Sequence, residues 1–568
     1  MSTLDLVVLF GTLLFIVGFG VYKTKGQKNI ESYLLGGKSM KWGTIGLSVM
    51  STQASAITFI STPGQAYESG MGFVQNYLGM PLALIVVSVF FIPIFYKLKV
   101  YTAYEYLESR FDVKTRYLGA FIFLVQRGLA AGITIYAPAI IVSSILEWDL
   151  ILTIIGTGIL VIIYTVSGGT KAVSITQRQQ MAVIMGGMFA AFFIILFYVQ
   201  EFISFSGALS LAGSLGKLEA VNFSLDPGER YTIWSGLAGG FFLQLSYFGT
   251  DQSQVQRYLG GSNVTESRIG LMFNAVLKIP MQFFILLTGV MVYVFYIFYA
   301  PPLHFKTASV AVVQNSQHAA TYTELDERHT IALMERKDAA LRLSQDNILE
   351  VEKGNDLRAF KNADKKVLSI RNEAKELISS VDETLETKDA DYVFLTFITN
   401  YLPQGLVGLL IAVIFSAAMS STSSELNALA STTSVDFYKR RFMKSGSPLH
   451  YLKASKIITL GWGVLAILFA IMAKNSENLI EAVNIVGSIF YGTVLGIFLV
   501  AFFLKQVNGN AVFIGAIAAQ LIVIVIHFLT LAEVISLSYL WYNVVGCAGT
   551  MLISVLFEYS SPKRRTGS

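Results

Sequence analysis

Long apolar runs almost free of charge recur from residue 5 to residue 557, and this pattern constrains the chain more than any other feature. Each run is close to the ~20 residues an α-helix needs to cross ~30 Å of hydrocarbon. Thirteen spans are predicted, at about 5–22, 42–67, 73–96, 115–145, 150–167, 179–199, 232–256, 269–300, 403–433, 452–473, 479–504, 511–531 and 536–557. Composition agrees. Charged residues are 14% of the 568, where a soluble protein of ordinary make-up carries about a quarter. The fold class is therefore an all-α polytopic membrane protein. This excludes a secreted disulfide scaffold, a nucleic-acid reader and most soluble enzymes, and makes the lipid bilayer the first partner. The single cysteine, Cys547, permits no internal disulfide and reads as a small buried hydrophobe.

The first span is not a cleaved leader. Its flank MSTLD has no cation, its apolar stretch is too long, and Lys23, Lys25 and Lys28 follow it. With the amino terminus outside, the inner segments (23–41, 97–116, 168–178, 257–268, 439–456, 505–510 and 558–568) hold 24 Lys and Arg. The outer ones, apart from one insert, hold only Lys217, Arg230 and Lys474. Cations concentrate on the cytoplasmic side, so thirteen helices with the carboxyl terminus inside are expected. The expected divisions are helices 1–8 over 1–300, a hydrophilic insert at 301–395, helices 9–13 over 396–558, and a short cytoplasmic tail at 559–568. One cysteine and a compact tail favour a bacterial inner membrane.

The insert carries 30 of the chain's charged residues in 95 positions. It is rich in Ala, Leu, Glu, Lys and Arg, which predicts two helices near 326–352 and 356–386, hinged at Lys353-Gly354-Asn355. Mixed charge on helices usually marks a solvated face. The insert is expected to be a solvated hairpin, with an outer partner of unknown kind, or a gating cap, as the sharper reading.

Polar residues at membrane depth cost free energy and mark pathways. The second span holds Ser48, Ser51, Thr52, Gln53, Ser55, Thr58, Ser61 and Thr62, and the seventh holds Gly249 and Asp251 within "LQLSYFGTDQSQVQRYL". Both are expected to break mid-membrane, where irregular backbone lines a cavity and freed carbonyls coordinate cations. They are the first and sixth members of a possible five-plus-five division of helices 2–11. In the ninth span Ser420, Ser421, Thr422, Ser423 and Ser424 are consecutive. Hydroxyl oxygens suit a hard cation such as Na⁺; the bland alternative is hydrogen bonding to their own i−4 carbonyls. Two cations, Arg127 and Lys278, lie deep in the fourth and eighth spans, with Asp251 the one acid in comparable reach. Asp251 is expected to pair with one of them, and the other is a candidate for an anionic solute group.

The serine block with "ASTTSVDFYKRR", the "QVQRYLGG" after the seventh span and the "YTAYEYLESRF" between spans three and four together resemble the sodium/solute symporter family. "IYAPAI" and "AYEYLESRF" look closest to its monocarboxylate, vitamin and iodide branch. The resemblance runs from the first span to the thirteenth and leaves out the insert. It implies a leucine-transporter-like inverted-repeat core with one helix before and two after, Na⁺ as coupling ion, a small-molecule solute and alternating access. It further implies Na⁺ ligands at Ser51, Ala54, Ala417, Ser420 and Ser421. A second sodium would use Ser420, Ser423, Ser424 and position 177, where Gln177 stands in place of an aspartate. The positions matching solute contacts are Gln53, Thr58, Tyr77, Met80, Gln244, Tyr247 and Lys278, with Arg127 added on its depth. Tyr77 and Met80 depart from the sugar pattern and disfavour galactose or glucose.

Other classes fare worse. A membrane sensor needs a signalling module, and about 11 residues follow the last span. A membrane enzyme needs a metal or His/acid/Cys constellation; no HExxH or P-loop is present, and three of the five histidines lie in the insert. Coupling to H⁺ on the same fold is the remaining alternative.

Overall fold

A computed structural model of the protein describes residues 2–24, 36–146, 148–344, 350–382, 385, 387–472 and 479–560. Lys25, Lys28, Lys474 and most of the expected tail lie outside the described residues.

The first half comprises α1 (Thr3–Thr24), α2 (Trp42–Gln53), α3 (Ala56–Ser69), α4 (Met80–Val86) running through a π turn into α5 (Ile92–Leu98), α6 (Glu105–Arg110), α7 (Val113–Leu146), α8 (Leu150–Gln200), α9 (Phe205–Ser214), α10 (Gly240–Gly249), α11 (Gln252–Leu259) and α12 (Val264–Phe298). The insert contributes α13 (Thr307–Gln314), α14 (Ala319–Leu343) and α15 (Glu350–Val381). Then follow α16 (Ala390–Tyr401), α17 (Leu406–Thr432), α18 (Pro448–Met472), α19 (Leu479–Phe503), α20 (Gly509–Leu531) and α21 (Leu540–Ser560). Among the described residues the only non-helical pairing is an isolated bridge between Met40 and Gly261. Nine helices there are long and apolar enough to cross a membrane, and Thr3–Ile16 and Leu150–Ile163 are shorter apolar helices.

Both expected breaks are present. The second span stops at Gln53 and restarts at Ala56; the seventh stops at Gly249 and restarts at Gln252. At the first break Ala54 takes φ −87°, ψ 73° and Ser55 is extended, so the helical ladder is interrupted without a glycine or proline. At the second, Asp251 turns extended and its carboxylate accepts the Ser253 N–H at 2.8 Å, capping α11. Carboxylates are favoured at a helix amino terminus.

The expected inner loop at 168–178 is corrected. α8 is helical over all 51 residues from Leu150 to Gln200. A straight helix of that length would reach about 75 Å, more than twice the hydrocarbon. The chain doubles back instead. α17 opposes α7, with Asp436 just past its end at Arg116 and Glu425 at Arg127, whereas α18 runs alongside α7, with Trp462 at Gly128 and Phe469 at Gly132. The first leg of α8 descends against α18, Gly158 on Ile467 and Ile162 on Gly463. The second climbs against α17, where Gln177 meets Ser424, Gly187 meets Leu410, and Tyr198 donates to the Tyr401 carbonyl. Two spans are therefore present, joined by helical turns.

The insert differs from expectation in two ways. Its hinge is not at Gly354, which lies inside α15; α14 ends at Leu343. One exposed glycine costs a helix only about 1 kcal/mol, which a 32-residue helix absorbs. Nor is the hairpin merely a solvated face. It has its own apolar core, including Leu303, Leu333, Val367 and Ile370, and internal buried ion pairs whose members also contact the outer ends of α3 and α12. Arg336 pairs with Asp364 at 3.1 Å and donates to the Tyr296 carbonyl at 2.8 Å. Arg371 pairs with Asp389 at 2.7 Å, and Lys375 bridges Asp389 and Glu68. The guanidinium of Arg371 holds the Asp389 carboxyl well below the usual range despite its burial.

His329, also buried in this layer, has its pKa pushed down to about 3, first by burial and then by Arg371 and Arg336. In an unfolded chain it titrates near 6.5. A depressed base favours the folded hairpin fully above pH ~6.5 and withdraws that support as pH falls toward 3. Hydrogen exchange across α14 and α15, corrected for intrinsic rates, is expected to quicken at pH 5 relative to pH 7.5, and His329→Gln to flatten the dependence. Equal protection at both pH values would refute this.

Candidate functional site

The two broken helices and the serine helix α17 come together at one depth. From α2, Thr52 Oγ1 lies 3.4 Å from Ser424 Oγ on α17. From α8, Gln177 Nε2 donates to both, to Thr52 Oγ1 at 3.1 Å and to Ser424 Oγ at 3.2 Å, while its Oε1 accepts from Ser48. Gln53, at the end of α2, donates to Gln244 Oε1 on α10 at 3.3 Å, so the two broken helices touch directly.

All five hydroxyl residues from Ser420 to Ser424 are buried. The bland expectation holds for two of them: Ser421 Oγ donates to the Ala417 carbonyl at 3.1 Å and Ser424 Oγ to the Ser420 carbonyl at 2.9 Å. Ser420, Thr422 and Ser423 differ, since their hydroxyls have no hydrogen-bond partner among the described residues; nor has the buried Ser51 hydroxyl across the junction. Orphaned hydroxyls in a buried setting are costly unless something else satisfies them. Ala54 sits in the break itself, its N–H held by the Met50 carbonyl at 2.7 Å, which leaves its own carbonyl outside a continuing helix.

Above this junction is a cavity lined by Thr52, Gln53, Ser55, Ile57, Tyr77, Arg127, Thr134, Leu243, Gln244, Tyr247, Glu425, Ile480, Val483, Asn484 and Tyr491. Of the solute positions expected from sequence it gathers Gln53, Tyr77, Gln244, Tyr247 and Arg127. Thr58, Met80 and Lys278 are buried but do not line it. Thr58 turns its hydroxyl back to the Gln53 carbonyl, 3.4 Å away. Lys278 sits behind Tyr77, its Nζ 5.5 Å from the ring centre, a cation–π contact that partly replaces lost hydration.

Arg127 is more fully matched than the sequence predicts. Asp251 pairs with it, as expected, but is not the one acid in reach: Glu425 Oε1 lies 3.1 Å from Nη1. Tyr491 touches the guanidinium and donates to Asp251 Oδ2 at 2.8 Å. Glu425 directly follows the hydroxyl run in the sequence. Tyr491, Asn484 and Thr134 gave no signal, because each sits in an otherwise ordinary apolar span.

Two of the motifs that carry the resemblance converge at the opposite end of α7, and Gln252, two residues before the third, joins them. Asp436 of "DFYKRR" accepts from Arg116 at 2.8 Å and from Thr102 at 2.9 Å. Glu108 of "AYEYLESRF" binds Arg116 and Arg440. Gln252, at the head of α11, accepts from the Ala103 N–H at 3.1 Å and donates to the Tyr101 carbonyl at 2.9 Å. These contacts clamp α6, α7, α11 and the end of α17 to one another.

Comparison with known proteins agrees with this geometry. The model of the Sodium:solute symporter family matches residues 33–333 and 379–519, leaving out most of the α14–α15 hairpin. Mouse Sodium-coupled monocarboxylate transporter 1 is 28% identical over 517 residues, 90% of this chain and 71% of its own. The Sodium/sialic acid symporter SiaT of Proteus mirabilis is 25% identical over 564 residues, 97% of this chain and 93% of its own. A solved structure of a Na⁺-coupled sialic acid symporter, substrate-bound and outward-open, aligns with a TM-score of 0.72 and 25% identity over 98% of each chain. The chain therefore belongs to the sodium:solute symporter family, whose members couple uptake of a small solute to sodium.

Proposed function

We propose that Na⁺ is held between α2 and α17 by the carbonyls of Ser51, Ala54 and Ala417 and the hydroxyls of Ser420 and Ser421, and that the solute occupies the cavity above. The observation that carries this is the buried Ser420 hydroxyl, which has no hydrogen-bond partner among the described residues. Ligands drawn from two helices explain coupling: Na⁺ binds best where both sets are close, and only such differential affinity shifts a conformational equilibrium. The solute then closes the cavity against Gln53, Tyr77, Gln244 and Tyr247. Thr58, Met80 and Lys278 act behind this lining, as packing around the break.

One Na⁺ per cycle is the reading favoured at the second candidate site. Ser423 and Ser424 are present, but Gln177 turns its N–H donors toward Thr52 and Ser424, and its oxygen is taken by Ser48. A donor amide is a poor substitute for a carboxylate next to a cation. At about 100 mV and a tenfold gradient, one Na⁺ supplies about 3.7 kcal/mol, enough for roughly 500-fold accumulation of a neutral solute.

In this reading the chain crosses a bacterial inner membrane thirteen times, amino terminus outside. Residues 1–300 and 396–558 form the transport unit, 301–395 an outer cap and 559–568 a cytoplasmic tail. The test is uptake into proteoliposomes under imposed gradients. Accumulation is expected with an inward Na⁺ gradient and not with an H⁺ gradient alone; accumulation without Na⁺ would hand the coupling to protons.

A further inference from the structure

The polar lining of the cavity is unequally matched. Among the described residues, three buried side-chain atoms on lining residues lack a hydrogen-bond partner: Gln53 Oε1, Glu425 Oε2 and Arg127 Nε. Two are acceptors. The one donor belongs to a guanidinium already faced by Asp251, Glu425 and the Tyr491 hydroxyl. With both acids ionised, one guanidinium leaves one negative charge unmatched, and Glu425, only 6% exposed, has one carboxylate oxygen without a hydrogen-bond partner among the described residues. Lys278, whose Nζ also has no hydrogen-bond partner among the described residues, lies 5.5 Å from the ring centre of Tyr77 and does not itself line the cavity.

Inside a membrane such a carboxylate oxygen is poorly hydrated, and a bare buried charge is strongly unfavourable. A solute anion brought to an ionised Glu425 would meet a like charge, and the one cation lining the cavity, Arg127, is already paired. A neutral hydroxyl would satisfy the hydrogen bond but not the charge. A protonated amine supplies N–H donors and the missing positive charge together.

We propose that the transported solute carries a protonated amine, which binds Glu425 Oε2 with Gln53 Oε1 as second acceptor, so that the chain takes up amino-acid-like or amine solutes in preference to simple anions. The proposal rests on the reading of this cavity as the solute site. It separates the chain from the relatives named for monocarboxylates and sialic acid, which are anions. The carboxylate side of an amino acid faces away from Glu425, leaving the ammonium to fix orientation. A site built around a hydrogen-bonded charged group rejects the analogue lacking it far more strongly than an apolar pocket rejects a methyl group.

The experiment uses the full chain in proteoliposomes under an inward Na⁺ gradient, with solutes paired by skeleton: L-alanine against L-lactate, L-serine against L-glycerate, ethanolamine against ethylene glycol. At least one amine-bearing member is expected to accumulate, with kcat/KM at least ~10-fold above its hydroxyl partner. Glu425→Gln is expected to shrink that ratio at least ~10-fold. Because the ratio is taken within each protein, partial loss of folding does not mimic the effect, and Glu425→Asp, which keeps the charge, is expected to retain the preference. Preference for the hydroxy acid, or an unchanged ratio in Glu425→Gln, would overturn the proposal. A Na⁺ titration without solute, read by thermal shift, covers the inorganic alternative: a raised Na⁺ requirement in Glu425→Gln assigns the carboxylate to the ion and overturns it too. Na⁺-driven uptake confined to solutes without an amine removes the proposal and leaves symport standing. Amine uptake indifferent to Na⁺ removes the sodium site and leaves the proposal standing.

Discussion

Replacing Ser421 by alanine is expected to raise the Na⁺ concentration for half-maximal uptake at least tenfold while leaving the protein folded. The hydroxyl of Ser421 donates to the carbonyl of Ala417, within its own helix turn. Helix α17 does not depend on that bond, and alanine is the best helix former, so the backbone of the serine helix should persist. What disappears is one of the five oxygens proposed around Na⁺. Losing a ligand worth ~1.4 kcal/mol already produces the tenfold change. Uptake at saturating Na⁺ should recover much of its rate, since the solute cavity is lined by other residues. Sodium dependence of initial uptake rates, with thermal melting as the folding control, decides the matter. An unchanged half-saturation in a folded variant would reject Ser421 as a ligand.

The second large effect concerns Arg127. Glutamine in its place leaves Asp251 and Glu425 facing one another at membrane depth with no cation between them. Breaking a buried ion pair on one side costs about 3–5 kcal/mol, because the surviving charge stays desolvated. Arg127→Gln is therefore expected to lower the melting temperature of the purified protein sharply and to reduce its yield in the membrane. Adding Glu425→Gln removes one of the two stranded charges and should restore part of the loss, a coupling of roughly 1 kcal/mol or more between residues in direct contact. A single variant as stable as the parent, or a double variant showing strictly additive loss, would mean that Arg127 is not held by charge. Transport is expected to be absent in both, since the guanidinium also shapes the cavity floor.

Much of the fold was legible because the signals are local. A span of about 20 apolar residues must be helical in lipid whatever its neighbours are. The two breaks were legible for a related reason: "STQASAITFISTPG" and "FGTDQSQ" place too many polar groups at depth for an uninterrupted helix facing lipid. The clustered hydroxyls of α17 announced themselves by being consecutive. The connection between the legs of α8 and the hinge of the insert were misread. Glycines and charges there suggested loop or turn, yet residues 168–178 turn back through helical conformation and α15 continues through Gly354.

By itself, the sequence determined the membrane class, the family motifs, the broken helices and the depth of Arg127, because each depends on residues near one another in the chain. Only the tertiary structure decided which charges meet. Arg127 finds Asp251 at a separation of 124 residues and Glu425 at 298. The insert's Arg371 reaches Tyr67 across 304. The same packing put Lys278 against the Tyr77 ring and left one Glu425 oxygen buried without a hydrogen-bond partner among the described residues. Burial removes the water that would otherwise satisfy each charge singly, so the partner that packing supplies, or withholds, sets what every buried charge can do.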